Sequence, residues 1–328
     1  MISKQTILSG NNLHKQFILQ RSASSPSGVL TALDGVTLEI NEGETIGIAG
    51  ESGCGKSTLG KILAGLIKPD KGEVCYQGST ITDLSTESLS MFRRRTQMIF
   101  QDPFSSLNPR MRIGDAIAEP IVISGKEAAS ARRCAVEAIM ATVGLTPDQY
   151  NRFPHEFSGG QRQRIGIARA LAASPAIIIA DEPVSSLDIS IQAQIINLLQ
   201  AMKVEYNLSL VIISHDLSVL RYLCDRVNIM YLGIIVESAP VSALFQHFLH
   251  PYTEALIAAI PRINAGKHHS RPILKDDLPS PMAIPKGCRF HTRCRYVKDL
   301  CHREVPPLEE KRNGHFAACH FSDIIFPW

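Results

Sequence analysis

Two short glycine-containing runs in this chain have the composition to bind phosphate. The first is Gly50-Glu51-Ser52-Gly53-Cys54-Gly55-Lys56-Ser57-Thr58, a phosphate loop. Its glycines permit a tight turn in which backbone N–H groups face phosphate oxygens, and the helix that follows brings its positive end to the same place. In such a loop Lys56 reaches the β- and γ-phosphates and the Ser57 hydroxyl binds Mg2+. The second run is Phe157-Ser158-Gly159-Gly160-Gln161, which opens a helical stretch over 162–173. Its N–H groups and its serine hydroxyl also suit a phosphate. A third feature is the apolar run Ile177-Ile178-Ile179-Ala180, a buried strand ending in the carboxylates of Asp181 and Glu182.

The surrounding sequence supplies the elements that must position these groups. Residues 33–40 alternate in the manner of a strand, as do 45–49 after a glycine-containing turn. Residues 20–28, rich in serine with a proline, read as a loop between two early strands. Residues 57–66 carry helical spacing at Leu59, Ile62, Leu63 and Leu66, with Pro69 and Gly72 as terminators. From 103 to 157 the pattern is mostly helical, clearest over 128–143, and reads as a helical insert in an α/β core. Residues 177–180 and 210–213 are continuous apolar runs, as buried parallel strands require. An amphipathic helix over 192–206 lies between them, and that order argues for a parallel sheet. Beyond Pro251 a helical stretch over 252–260 meets Pro261. A linker marked by His268, His269, Pro272, Pro279, Pro281 and Pro285 then leads to a Cys/His-rich tail.

Composition narrows the class. With 328 residues, 45% hydrophobic and 20% charged, the chain suits a soluble globular protein of one large or two modest domains. No apolar run approaches the roughly 18 residues of a membrane helix. The opening Met1-Ile2-Ser3-Lys4-Gln5 is no secretion segment, so the expectation is a cytoplasmic protein whose membrane role comes through partners. A net charge of +3 does not argue for nucleic acid. Cys54, Cys75, Cys134 and Cys224 are scattered, whereas Cys288, Cys294, Cys301 and Cys319 crowd the tail. In a reducing compartment that clustering suggests metal before disulfide. The spacing differs from the paired Cys-x-x-Cys of common zinc folds.

With both phosphate motifs present, the chain resembles the ATP-binding cassette (ABC) ATPases. The resemblance implies a P-loop NTPase α/β cassette: a RecA-like core, an antiparallel β subdomain and a helical subdomain over about 103–165, all within 1–250. In that family the two phosphate motifs of one chain do not meet, and each completes a site with its opposite on a partner. Ser158, Gly159, Gly160 and Gln161 would thus face the γ-phosphate held by another cassette. The family usually has leucine before the serine; Phe157 keeps an apolar residue there. By the same resemblance Gly50 to Thr58 bind the nucleotide, Asp181 holds Mg2+ with Ser57, and Glu182 polarises the attacking water. Gln101, in Ile99-Phe100-Gln101-Asp102-Pro103, would contact Mg2+ or that water and sense the membrane partner. His215 would contact the γ-phosphate. Asp188, in Ser185-Ser186-Leu187-Asp188, would cross the dimer interface, and it equally suits a helix N-cap. Phe17 is the candidate for stacking on adenine, although an early strand phenylalanine also suits a core. With Glu182 present, a non-hydrolysing subunit is not expected. The implied mechanism sandwiches MgATP between cassettes for water attack with electrostatic stabilisation.

Phe100-Gln-Asp-Pro-Phe-Ser-Ser-Leu-Asn-Pro-Arg110 and His250-Pro251-Tyr252-Thr253 look like stretches of peptide and nickel importer ATPases. The tail through Cys288, Cys294, Cys301 and Cys319 resembles the C-terminal extension of dipeptide and oligopeptide importer ATPases, here 251–328. The resemblance implies the second ATPase of a peptide importer at the cytoplasmic face of the inner membrane. Its partners would be a paralogous cassette, two permease subunits and, indirectly, an extracytoplasmic substrate-binding protein, with no nucleic acid. Nickel import stays open. So does a nucleic-acid-handling ABC ATPase with a metal finger, although such proteins carry two cassettes or long coiled-coil inserts. Arg93-Arg94-Arg95 reads as a solvated or membrane-partner-facing run. The cofactors implied are ATP and Mg2+. For the four tail cysteines the resemblance favours a [4Fe–4S] cluster, with zinc or no metal still open.

Overall fold

Aliphatic and β-branched runs become strands throughout the computed structural model, which describes residues 5–19, 28–102, 106–125, 129–260 and 279–327. In chain order the strands are β1 (Thr6–Leu19), β2 (Gly28–Asn41), β3 (Thr45–Ala49), β4 (Lys71–Tyr76), β5 (Ser79–Thr80) and β6 (Thr96–Ile99). They continue with β7 (Ile177–Asp181), β8 (Ser209–Ser214), β9 (Arg226–Tyr231), β10 (Ile234–Pro240), β11 (Glu309–Arg312) and β12 (His315–Ala317). The chain divides into two compact units. One gathers the described residues of Met1–Ile7, Ile40–Glu44 and Tyr76–Ile213; the other holds Leu8–Glu39, Thr45–Cys75 and the described part of Ser214–Trp328.

In the first unit β6, β7 and β8 run parallel, in registers that pair Ile99 with Ala180 and Asp181 with Ile213. Every residue of β7 and β8 is buried. Burial on both faces explains why these strands read as unbroken apolar runs rather than alternating ones. The expected helical insert comprises the helices Ile113–Ser124 and Ala129–Thr142, which pack on each other and on the helix Gly159–Ala172. Ile113, Ile117 and Ile121, one turn apart, form the buried face of the first of these helices.

In the second unit β3 lies parallel to β9, and β10, β12 and β11 continue outwards antiparallel. A separate sheet has the order β2, β1, β4. The helix Lys56–Leu63 follows β3. It stops three residues short of the sequence expectation, because Gly65 N–H bonds Ile62 O and Leu66 N–H bonds Lys61 O. That pairing is a Schellman end, so Pro69 and Gly72 come too late to set the terminus. The helix expected at 192–206 begins earlier, at Ile189.

Among the described residues no helix is long and apolar enough to cross a membrane. Arg93, Arg94 and Arg95 occupy the last turn of the helix Thr86–Arg95, where cations favour the helix dipole. The loop expected at 20–28, save Gly28, and the linker residues His268, His269 and Pro272 lie outside the described residues.

Candidate functional site

The fully buried β3 delivers the chain to Gly50, and the helix Lys56–Leu63 begins six residues later with Gly55 as its N-cap. Gly55 adopts a φ of 108°, and a Cβ there would lie 2.2 Å from Ala32 O. No other residue fits that turn. Lys56 is buried, and its ammonium donates to Gly50 O at 2.7 Å and Glu51 O at 2.9 Å. The loop thus holds its own lysine through two carbonyls. Burial pushes the Cys54 thiol up, with Lys56 opposing. Further contacts brace the loop. Gly233 N–H donates to Cys54 O at 2.9 Å, and Glu51 N–H donates to the Tyr252 hydroxyl at 2.8 Å. Arg293 grips the Glu51 carboxylate with its two terminal guanidinium nitrogens, at 2.6 and 3.0 Å. Ser52 and Gly53 remain exposed, and Ser57 and Thr58 are half-buried. His215 lies exposed in the same unit, beside Asp216, whose carboxylate caps the helix Leu217–Leu223 by accepting from Ser218 N–H at 2.7 Å. Phe17 is also partly exposed on β1, with the Lys15 ammonium 5.7 Å above its ring, and so is not a core residue.

In the other unit β7 ends with Asp181 buried and Glu182 half-buried. Glu182 adopts a φ of 45°, in the left-handed region where a side chain other than glycine is strained. Its N–H is fixed on Ile213 O at 2.9 Å, and its carboxylate accepts from Gln101 Nε2 at 3.0 Å. Strain held in place by surrounding hydrogen bonds is characteristic of functional positions. The structure therefore joins two residues, 101 and 182, that the sequence could only name separately.

Ser158 and Gln161 form a closed pair. Ser158 Oγ accepts from Gln161 N–H at 3.3 Å, and Gln161 Oε1 accepts from Ser158 N–H at 3.0 Å. This capping box starts the helix Gly159–Ala172 and leaves other first-turn N–H groups free of helical partners. Gly160 is required for packing: a Cβ there would come within 2.4 Å of Ile191 Cγ2. Phe157 is buried. Asp188 occupies the N-cap position of the helix Ile189–Glu205, but its side chain makes no capping hydrogen bond. That expectation is met in place and not in chemistry. The loop before it is held instead by Gln192 Nε2, which donates to Val184 O and Leu187 O at 3.0 Å each.

In the tail Cys288, Cys294, Cys301 and Cys319 line one pocket with Phe290 and Phe321. Burial pushes the Cys288 thiol up to about 12 and Cys294 up to about 11, the neighbouring thiols adding to both shifts. Among the described residues, however, no three His, Cys, Asp or Glu side chains stand placed to hold a single metal ion. The tail is anchored by Glu237, fully buried on β10, which accepts from Leu249 N–H at 2.6 Å, His250 N–H at 3.0 Å and His315 Nε2 at 2.7 Å. Arg289 donates to Leu232 O and to Asp34. Sequence reading missed Tyr252 and Arg293 as neighbours of the phosphate loop. They lie 201 and 242 positions from Glu51, and no local pattern marks such pairs.

Comparison with known proteins adds independent findings. Residues 33–185 match the ABC transporter family, and residues 236–301 match the oligopeptide/dipeptide transporter C-terminal region. The oligopeptide transport ATP-binding protein AppF of Bacillus subtilis is 47% identical over 322 residues, covering 97% of this chain and 98% of that protein. The dipeptide transport ATP-binding protein DppF of Haemophilus influenzae is 42% identical over 317 residues, covering 97% of each. Among solved structures, a dimeric post-hydrolysis ATP-binding cassette bound to ADP and Pi superposes with a TM-score of 0.64 at 30% identity. That match covers 72% of this chain and 99% of the other.

Proposed function

The chain belongs to the ATP-binding subunits of oligopeptide/dipeptide ABC transporters, and we propose that the residues placed above carry the ATP hydrolysis by which it powers peptide import. The observation that carries this assignment is the strained Glu182, fixed through its N–H and hydrogen-bonded to Gln101. Glu182 polarises the attacking water and Gln101 positions it. Lys56 leaves its carbonyl partners to meet the β- and γ-phosphates, and the loop N–H groups neutralise charge on them. Ser57 and Asp181 are the Mg2+ ligands, His215 meets the γ-phosphate, and Phe17 offers its exposed ring to the adenine. Ser158 to Gln161 present their helix start to nucleotide held by a partner cassette, with Asp188 at that dimer contact. Residues 1–250 form the cassette, with its helical part at about 103–165, and 251–328 the extension. A paralogous cassette, two permease subunits and an extracytoplasmic binding protein complete the importer, with this subunit at the cytoplasmic face of the membrane. Both named relatives are peptide transport proteins, which favours peptide over nickel.

Glu182→Gln tests the core of this reading. The expected result is turnover lowered by at least about 10²-fold with MgATP still bound; wild-type turnover would overturn the role of Glu182.

One observation favours a second component. Four thiols around one apolar pocket are the donor set of an iron–sulfur cluster. We read Cys288, Cys294, Cys301 and Cys319 as ligands of a [4Fe–4S] cluster with a structural or docking role. Iron and acid-labile sulfide in anaerobically purified protein are expected, and the absence of both removes the cluster.

A further inference from the structure

Glu51 is the residue through which the C-terminal extension reaches the phosphate loop, and three of its groups are engaged at once. Its carbonyl accepts from Lys56 Nζ at 2.9 Å. Its N–H donates to the Tyr252 hydroxyl at 2.8 Å, and its carboxylate accepts from the two terminal guanidinium nitrogens of Arg293. The Arg293 side chain is only 4% exposed and that of Glu51 26%, so the fork is partly shielded from water, and its two parallel bonds fix the geometry of the pair. Tyr252 is fully buried, at ring-centroid distances of 4.7 Å from Tyr231 and 5.4 Å from Phe290. It is therefore a rigid post rather than a mobile contact. The helix that carries it starts at Pro251 under a buried His250, whose Nδ1 accepts from Tyr252 N–H at 3.1 Å. Arg293 lies in the turn Phe290 to Cys294, tied by Arg293 N–H to Phe290 O at 3.0 Å and Cys294 N–H to His291 O at 3.4 Å.

We infer that Tyr252 and Arg293 are positioning residues for ATP binding: by fixing Glu51 through its N–H and its carboxylate they set the curvature of the loop whose N–H groups receive phosphate. The inference rests on the family assignment for the identity of the nucleotide, and on the contacts above for everything else. A loop fixed in advance spends less binding free energy on ordering itself, so the pair acts on affinity more than on the chemical step.

The test measures binding of a fluorescent N-methylanthraniloyl-ATP with Mg2+, together with ATPase KM and kcat, on the full-length chain. Arg293→Met is expected to weaken binding about tenfold and raise KM alike, with kcat at saturation nearly unchanged. Arg293→Lys, which keeps the charge but loses the fork, should recover part of the loss. Arg295→Met supplies the control, because Arg295 pairs with Glu254 and not with the loop; its binding should stay at the wild-type level. In the double variant Glu51→Gln/Arg293→Met the two losses should not add, because both act on one contact. Wild-type affinity in a folded Arg293→Met protein overturns the inference, as does a fall in kcat at constant KM or an equal loss in Arg295→Met. If Arg293→Met does not fold, Tyr252→Phe decides: about threefold weaker binding is expected, and unchanged affinity overturns the inference. Failure of the wild-type chain itself to bind the probe would strike the proposed function instead.

Discussion

The two glycine-containing turns of this chain are built on opposite plans. At Ser158–Gln161 the turn closes on itself: donor and acceptor lie three residues apart, and one capping box defines the helix start. At Gly50–Ser57 the turn is held from a distance, by Tyr252, Arg293 and Gly233. A self-closed turn is specified wherever its few residues occur. A braced turn exists only once the chain has folded around it, and it can be tuned by changes far away in sequence. The first turn is therefore held by its own bonds, while the second is wired to the extension.

The largest test of this contrast is acid. Burial holds His250 down to about 3, against about 6.5 in an unfolded chain. Its neutral imidazole supports the start of the helix that carries Tyr252. Below pH 6.5 the unfolded chain takes up a proton that the folded one refuses. The contribution of His250 is thus complete above about 6.5 and drains away as pH falls towards 3, on the order of 5 kcal/mol at the limit. Denaturant midpoints followed against pH should show that slope, and His250→Asn, which keeps a capping acceptor without the titration, should flatten it. An unchanged slope would remove His250 from the brace.

Glu51→Ala comes next. It strands a buried guanidinium, so about 3 kcal/mol of stability should be lost in chemical denaturation. Gly160→Ala drives a methyl into Ile191 and should cost about 2 kcal/mol, because β-branched isoleucine has little freedom to turn aside. Ser158→Ala should cost the least, about 1 kcal/mol, since only an exposed cap is removed. If Ser158→Ala proved more damaging than Glu51→Ala, the distinction between closed and braced turns would collapse.

The same distinction decides what was legible in the sequence. The phosphate loop and the apolar runs of β7 and β8 are local patterns, and they read directly, whereas the equally local capping box of Ser158 and Gln161 went unread. The helix Lys56–Leu63 was placed but overextended, because Leu66 continues the apolar spacing while Gly65 has already reversed the chain. The hairpin of β9 and β10 gave no signal: its turn is Leu232-Gly233, and Leu232 sits at a φ of 43° where Asn or Asp is the usual cue. Arg289 donates to the Leu232 carbonyl, so a tertiary contact supports what the local sequence disfavours. Gln101 and Glu182 were both named as site residues, but their mutual hydrogen bond follows from the parallel pairing of β6 with β7. Nothing local marks Tyr252 beyond its motif, or Arg293 at all, as a partner of Glu51; their placement there is a property of the folded chain.

The pairing of β12 on β10 has a further consequence, for solubility. β10 is an almost wholly buried strand of sequence IIVESAP, and β11, the outermost strand of that unit's sheet, is the charged EEKR. Apolar strand edges left open recruit other chains, whereas short charged ones discourage them. A version of this protein shortened after Leu249 would present the backbone edge of β10, with the Glu237 carboxylate bereft of His315 beside it. The extension thus also serves as a stopper against edge-to-edge self-assembly, a duty that continues even when no nucleotide is bound.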